Sequence, residues 1–304
     1  MKDYLLFSGS SNMPLAQDVA KLLNISLGKV DLTRFADGEL RPWIESDVRD
    51  KTIIILQSFS YPMDEHIIEM VLMGDAIRRM APKSIISVIP YFGYARQDKL
   101  HRPGEPVSAR VIAEFLEISM VSEMLCVDLH NDAIVGFFRI PVTHVSAISV
   151  LAAEINKMNI TEGVIVSPDV GGVKRARNFA YLTDMPMVVM EKKRFLDKHD
   201  TTEMYQIIGD VDGKSAIVVD DIISTAGTIV SFAQSLQQAG AAHIMVAASH
   251  GVFAADAIAK LTNSPIESVL ITNSINIPHD KLFAKLRIVT IAGLLSDSIT
   301  TLVK

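Results

Sequence analysis

Two adjacent carboxylates, Asp220 and Asp221, stand at the end of an apolar β-type run, Ala216-Ile217-Val218-Val219. A small, hydroxylated turn follows closely, Ser224-Thr225-Ala226-Gly227-Thr228, and then a helical pattern with Ile229, Phe232, Ala233 and Leu236 on one side and Gly240 as its stop. A buried strand, a short turn and a helix start make an anion site, because the turn's N–H groups and the positive end of the helix dipole converge. Thr225 and Thr228 add hydroxyl donors, and Gly227 lets backbone approach a phosphate. An acidic pair would repel that phosphate if aimed at it. It suits sugar hydroxyls, or a cation nearby. The stretch therefore reads as a sugar-phosphate cradle.

Three further stretches carry usable chemistry. Tyr91-Phe92-Gly93-Tyr94-Ala95-Arg96-Gln97-Asp98-Lys99 follows a predicted strand and suits a nucleotide, with rings and the Gln97 amide for a base and Arg96 and Lys99 for phosphates. Asp128-Leu129-His130 and Pro168-Asp169 also lie just past strands. They could offer an imidazole and a carboxylate to a divalent cation held mostly by phosphate oxygens, a sparse ligation that suits Mg²⁺. Lys192-Lys193-Arg194 opens a charged segment, Glu191 to Glu203, that lacks an apolar period and reads as a mobile loop, either a cationic lid over transferring phosphates or a charged surface loop. His66 and Glu69 share a helical face that reads as solvated surface. Gly213-Lys214-Ser215 precedes its strand, so it is no P-loop.

Short β-branched runs alternate with helical patterns along all 304 residues, which predicts an α/β protein of parallel sheets flanked by helices. Strands are expected at Tyr4–Ser8, Ile53–Gln57, Ser84–Pro90, Met124–Asp128, Val164–Ser167, Met187–Met190, Tyr205–Ile208 and Ile244–Ala248. Helices are expected at Ala16–Leu23, Glu65–Met80, from a Ser108 cap to Leu116, and at Ile148–Met158, and Phe35-Ala36-Asp37-Gly38-Glu39 reads as a turn joining two strands. Asp47-Val48-Arg49-Asp50-Lys51-Thr52 lays over Asp210-Val211-Asp212-Gly213-Lys214-Ser215, and Ser84 to Gly93 lays over Ala242 to Gly251. The chain is thus read as one α/β unit duplicated, with domains at residues 1–145 and 146–304 and the last helix expected to pack back on the first. Gln57-Ser58 stands where the second copy has Asp220-Asp221, so only one half keeps the cradle. A net charge of −6 argues against nucleic acid or an anionic membrane as partner, and no apolar run nears the ~20 residues of a membrane span. The single cysteine, Cys126, sits in an apolar run and fits a reducing cytosol, so the expected setting is cytoplasmic.

In order, these pieces resemble the ribose-phosphate diphosphokinases, also called phosphoribosyl diphosphate synthetases, essentially from end to end. The likeness rests on Phe35-Ala36-Asp37-Gly38-Glu39, Pro90 to Lys99, Val127-Asp128-Leu129-His130, Ser167-Pro168-Asp169-Val170-Gly171-Gly172, and Val219-Asp220-Asp221 with Thr225-Ala226-Gly227-Thr228. The resemblance implies two phosphoribosyltransferase-like domains and transfer of the β,γ-diphosphoryl group of ATP to the 1-hydroxyl of ribose 5-phosphate. It implies that Asp220 and Asp221 hold the ribose hydroxyls, while Ser224, Thr225, Ala226, Gly227 and Thr228 hold the 5-phosphate. Phe35, Asp37 and Glu39 would bind adenine, reaching into a neighbouring subunit's site, with Arg96, Gln97 and Lys99 along the ATP. His130 and Asp169 would bind Mg²⁺, and Lys192 and Arg194 would stabilise charge on the transferring group. A homo-oligomer is implied, built on a dimer unit, with tetramer and hexamer both open.

Four departures from the commonest pattern of the family stand out. Ser224 replaces an acidic residue, Lys193 and Phe195 replace an Arg and a Pro, and Pro103-Gly104-Glu105-Pro106 replaces a more basic stretch, all resembling the archaeal-type branch. Asp47 stands where phosphate-activated members carry serine, which predicts weak or absent activation by inorganic phosphate. Two readings compete: a nucleobase phosphoribosyltransferase, which needs neither the nucleotide loop nor the lid, and a non-catalytic regulatory subunit, which would have lost catalytic residues.

Overall fold

A computed structural model describes residues 3–100, 102–119, 121–194 and 203–304, with backbone alone for 192–194 and 203–205. The chain divides into two compact units. The first contains β1 (Tyr4–Ser8), α1 (Met13–Leu22), β2 (Val30–Arg34), β3 (Leu40–Ile44), β4 (Thr52–Leu56), α2 (Met63–Arg78), β5 (Ser84–Ile89), α3 (Ser108–Ile118), β6 (Glu123–Val127) and β7 (Val142–Val145). Five of its strands form a wholly parallel sheet in the order β1-β4-β5-β6-β7, while β2 and β3 make a separate antiparallel hairpin. Such a sheet is covered on both faces, which is why β4 is an unbroken run, Thr52-Ile53-Ile54-Ile55-Leu56, buried throughout.

The second unit begins with α4 (Ile148–Asn156) and β8 (Gly163–Ser167), followed by α5 (Val173–Thr183), β9 (Met187–Arg194), β10 (Glu203–Ile208) and β11 (Ser215–Ile223). It continues through α6 (Gly227–Gln238), β12 (His243–Gly251), α7 (Ala257–Thr262), β13 (Ser268–Thr272) and β14 (Leu286–Val289). Seven strands form one sheet ordered β10-β9-β8-β11-β12-β13-β14, parallel except for β10. Along β11 the side chains alternate between two cores. Ala216 and Val218 pack with α6 residues Ile229, Phe232 and Leu236, and Ile217 and Val219 pack with Leu151, Ala152, Ala176 and Phe179 of α4 and α5.

The last helix, α8 (Ala292–Leu302), belongs to the first unit, as do residues 274–276 and 290–304, and it packs on α1. Both units therefore repeat one order: strand, helix, hairpin, strand, helix, strand, helix, strand, strand. Each is completed by a helix on its first helix, α8 on α1 and α4 on α5, and that helix follows the last strand of the other copy.

Several expectations are corrected. The segment from Glu191 is no free loop at its ends: β9 runs on to Arg194 and pairs with β10 from Glu203, antiparallel. Cross-strand ladder bonds need no apolar period, so the sequence pattern hid these arms. Residues 195–202 lie outside the described residues. Ser108 does not cap α3; Val107 precedes it, and the Ser108 hydroxyl instead donates to Gln97 Oε1 at 2.5 Å. His66 and Glu69 are buried, because loop residues distant in sequence cover that face of α2.

Candidate active site

In the second unit the chain leaves β8 for β9 on one side and later places β11 on the other. Ligands of open parallel sheets bind where strand order reverses in this way, at the carboxyl ends. Those ends carry Asp169 after β8 and Asp220 to Thr228 at the end of β11 and beyond it. Asp221 is buried and Asp220 half-buried, and continuing the alternation of β11 sends them to opposite faces. Nη1 of Arg175, from α5, lies 3.3 Å from Oδ1 of each. The two carboxyl groups also share a hydrogen bond, and Asp221 N–H donates to Asp220 Oδ1 at 2.9 Å. Burial first, and the Asp221 charge second, push Asp220 up to about 8, with Arg175 pulling the other way.

Beyond the acid pair, Ala226 takes the left-handed conformation (φ 59) immediately before α6. The left-handed residue is thus Ala226, and not Gly227, where a Cβ would meet nothing of the chain within 4 Å. A left-handed residue opening into a helix turns successive N–H groups to one side, a backbone nest for an anion. Among the described residues, the N–H groups of Thr225, Ala226, Gly227 and Thr228 meet no acceptor, and both threonines are exposed. The half-buried Ser224 gives its carbonyl to Ala254 N–H at 3.0 Å, anchoring the turn. Asp169 accepts from Gly172 N–H at 2.7 Å, so its carboxylate holds the turn that starts α5.

The two stretches of the first unit expected to meet a nucleotide converge on one helix start. In the turn of the β2–β3 hairpin, Phe35 N–H donates to Glu39 O and Glu39 N–H to Asp37 Oδ1. Gly38 is left-handed (φ 95), as such a turn requires. Phe35, 51% exposed, lies under the Arg41 guanidinium at 5.4 Å. Arg34 at the end of β2 pairs with Glu65, and the Tyr94 hydroxyl donates to Asp64, so neighbouring residues of α2 hold hairpin and loop. That hydrogen bond to a carboxylate raises the Tyr94 pKa above its ordinary value. Arg96, Gln97 and Lys99 are exposed. The rings are not free for a base: Phe92 packs between Phe59 and Phe138 in the core, and Tyr91 is buried. Asp98 accepts from Asn131 Nδ2 at 2.7 Å, which ties the loop beside His130, itself exposed.

Among the described residues no three His, Cys, Asp or Glu side chains cluster to hold a metal. His130 lies in the first unit and Asp169 in the second. An imidazole and a carboxylate are each donors that suit a cation keeping water and phosphate oxygens as its other ligands. Lys192 and Arg194 have their backbone on β9, and their side chains lie outside the described residues.

Comparison with known proteins bears on this arrangement. A family profile for the N-terminal domain of ribose phosphate pyrophosphokinase matches residues 4–119, and one for a phosphoribosyl synthetase-associated domain matches residues 186–304. The ribose-phosphate pyrophosphokinase of Aquifex aeolicus is 39% identical over 300 residues, covering 98% of this chain and 96% of that protein. The enzyme of that name from Synechococcus elongatus is 41% identical over 296 residues, covering 97% and 89%. The crystal structure of phosphoribosylpyrophosphate synthetase from Mycobacterium smegmatis superposes with a TM-score of 0.92 at 35% identity, covering 99% of each chain. The chain belongs to the ribose-phosphate pyrophosphokinase family. For this pyrophosphokinase, sequence reasoning missed Arg175, since Lys174-Arg175-Ala176-Arg177 offers several cations and no local cue as to which turns inward. It also missed Asp64 and Glu65, which look like ordinary first-turn acids of a helix. Among the described residues no helix is long and apolar enough to cross a membrane.

Proposed function

We propose that this chain transfers the β,γ-diphosphoryl group of ATP to the 1-hydroxyl of ribose 5-phosphate, giving 5-phosphoribosyl 1-diphosphate and AMP, a step of nucleotide biosynthesis in the cytoplasm. The observation that carries the reading is the end of β11, where an acidic pair is followed by a turn with unsatisfied N–H groups. Asp220 and Asp221 accept hydrogen bonds from ribose hydroxyls, and Ser224 to Thr228 bind the 5-phosphate. The second unit is thus the acceptor domain and the first the ATP domain. There Phe35, Asp37 and Glu39 hold adenine, and Arg96, Gln97 and Lys99 run along the ATP.

Phosphoryl-type transfer needs positioning and charge neutralisation more than covalent chemistry. His130 and Asp169 would hold a divalent cation, assigned as Mg²⁺, which supplies positive charge to the phosphate oxygens when bound. Lys192 and Arg194, on the arm of the β9–β10 hairpin, stabilise charge developing on the transferred group. The active form is a homo-oligomer built on a dimer, in which the hairpin turn 35–39 serves a neighbouring subunit.

One assay tests this: ATP, ribose 5-phosphate and Mg²⁺ with the purified protein, scored for AMP and 5-phosphoribosyl 1-diphosphate by ³¹P NMR. Stoichiometric formation of both is expected. Release of ADP or inorganic phosphate in place of AMP, or turnover of 5-phosphoribosyl 1-diphosphate with a free base instead, would sink the reading.

A further inference from the structure

Arg175 stands apart from the other cations of α5. Its side chain is 18% exposed, whereas Lys174 and Arg177 on either side are exposed. One guanidinium nitrogen, Nη1, reaches Oδ1 of both Asp220 and Asp221 at 3.3 Å. Two carboxyl groups on successive residues of a strand belong to opposite faces, and when they lie close they tend to share a proton, leaving fewer acceptor lone pairs. A single cation between them opposes both tendencies: it holds two diverging groups together over the strand end and favours their charged forms. The helix that carries it starts at the turn pinned by Asp169, so the position of Arg175 is set by the β8 side of the crevice and that of its partners by β11.

We infer that Arg175 is a positioning residue for sugar recognition, holding Asp220 and Asp221 together as a double acceptor that reads the ribose hydroxyls. This rests on the ribose 5-phosphate reading of the site. Arg175 touches neither substrate; it acts through the pair. A sugar lacking one hydroxyl should therefore report on it directly. Wild-type enzyme discriminates against 2-deoxyribose 5-phosphate because one carboxylate is left buried without its donor, a loss worth tenfold or more in binding.

The experiment compares wild type, Arg175→Gln and Arg175→Lys by steady-state kinetics with ribose 5-phosphate and 2-deoxyribose 5-phosphate, with Arg177→Gln as the control on the same helix. For Arg175→Gln the KM for ribose 5-phosphate is expected to rise at least tenfold and the ribose-to-deoxyribose ratio of kcat/KM to fall at least tenfold, with the KM for ATP within twofold. Arg175→Lys keeps the charge but not the planar fork, and should recover part of the discrimination, leaving the ratio severalfold below wild type. Should Arg175→Gln fail to bind ATP, and so not be folded, Arg175→Lys carries the comparison, with a severalfold fall in the ratio expected at unchanged KM for ATP. An unchanged sugar ratio, or a KM for ATP that rises in parallel, overturns the inference. Wild-type protein that forms no AMP removes the activity reading and this inference together, whereas an active wild type with an equally discriminating Arg175 variant removes the inference alone.

Discussion

The two units place different contents at the carboxyl ends of equivalent strands. At the end of β11 the second unit has Asp220 and Asp221, held by Arg175, with unsatisfied N–H groups in the turn that follows. Immediately after β4 the first unit has Gln57 and Ser58, both fully buried. Gln57 Oε1 accepts from the N–H and hydroxyl of Ser11, and Gln57 Nε2 donates to Glu69 Oε1 at 2.6 Å. Glu69, 3% exposed, also takes hydrogen bonds from the N–H and hydroxyl of Ser10. Ser58 N–H donates to Ser11 Oγ. Gly9 has no side chain because a Cβ there would run into the Gln57 amide. The first unit has thus filled the place of a ligand with its own side chains. Polar groups at such a position can be satisfied by substrate or by the chain, and the choice decides whether the unit binds or merely stands.

This contrast can be broken or sharpened by measurement. The largest effect is expected from Lys192 on β9. Lys192→Ala should lower kcat by about 10³-fold, the scale of a removed cationic finger, while ATP binding measured by calorimetry stays near wild type. Near-normal turnover would show that the second unit does not supply the charge.

Glu69→Ala should act on the other column of the comparison. It orphans buried donors on Ser10 and Gln57, so a stability loss of roughly 1–3 kcal/mol is expected in urea unfolding, with the KM for ribose 5-phosphate unchanged. A catalytic defect without loss of stability would mean that the closed network is functional after all.

Asp220→Asn should do the reverse, weakening ribose 5-phosphate use while stabilising the fold. The sign follows from the raised Asp220 pKa. Below about pH 4 the carboxyl is protonated folded or unfolded, and the variant should match wild type. As pH rises the unfolded chain loses its proton first, so wild type is progressively destabilised until pH passes about 8. The variant lacks this drain and should gain on the order of 1–3 kcal/mol relative to wild type across that window, read as the difference in Tm from pH 4 to 9. Parallel pH curves would contradict a strained acid pair.

Smaller effects are expected at the first unit. Glu65→Ala frees the hairpin from α2, and since exposed ion pairs are worth about 0–1 kcal/mol, the KM for ATP should rise only severalfold at constant kcat. The smallest concerns Asp47, whose carboxylate already accepts Arg49 N–H and lies 3.8 Å from Lys51 Nζ. Added inorganic phosphate should change activity by less than about twofold, because a carboxylate repels it; strict dependence on phosphate would refute this.

What the chain disclosed in advance follows from the range of the forces involved. The acid pair, the Thr225–Thr228 turn and the buried strands are local patterns of alternation and turn chemistry, and they stand where the pattern put them. Glu69 was misread as surface because its partners Ser10 and Gln57 lie 59 and 12 residues away. Phe92 looked available to a base because periodicity does not show that Phe59 and Phe138 close over it. Arg175 stayed hidden for the same reason: its partners are 45 and 46 residues downstream, and no spacing rule links them.

The last helix sets a clock on biosynthesis. A protein emerging from the ribosome can settle its first domain as soon as the residues of that domain are outside. Here α1 waits for α8, whose buried Ala292, Leu295, Ser296 and Ile299 are made after every strand of both units. The second unit, by contrast, has its equivalent helix, α4, before any of its strands. The unit translated first is therefore finished last, and a nascent chain carries an uncovered apolar face on α1 until α8 has been made. Deletion of α8 would consequently be felt in the unit that holds α1.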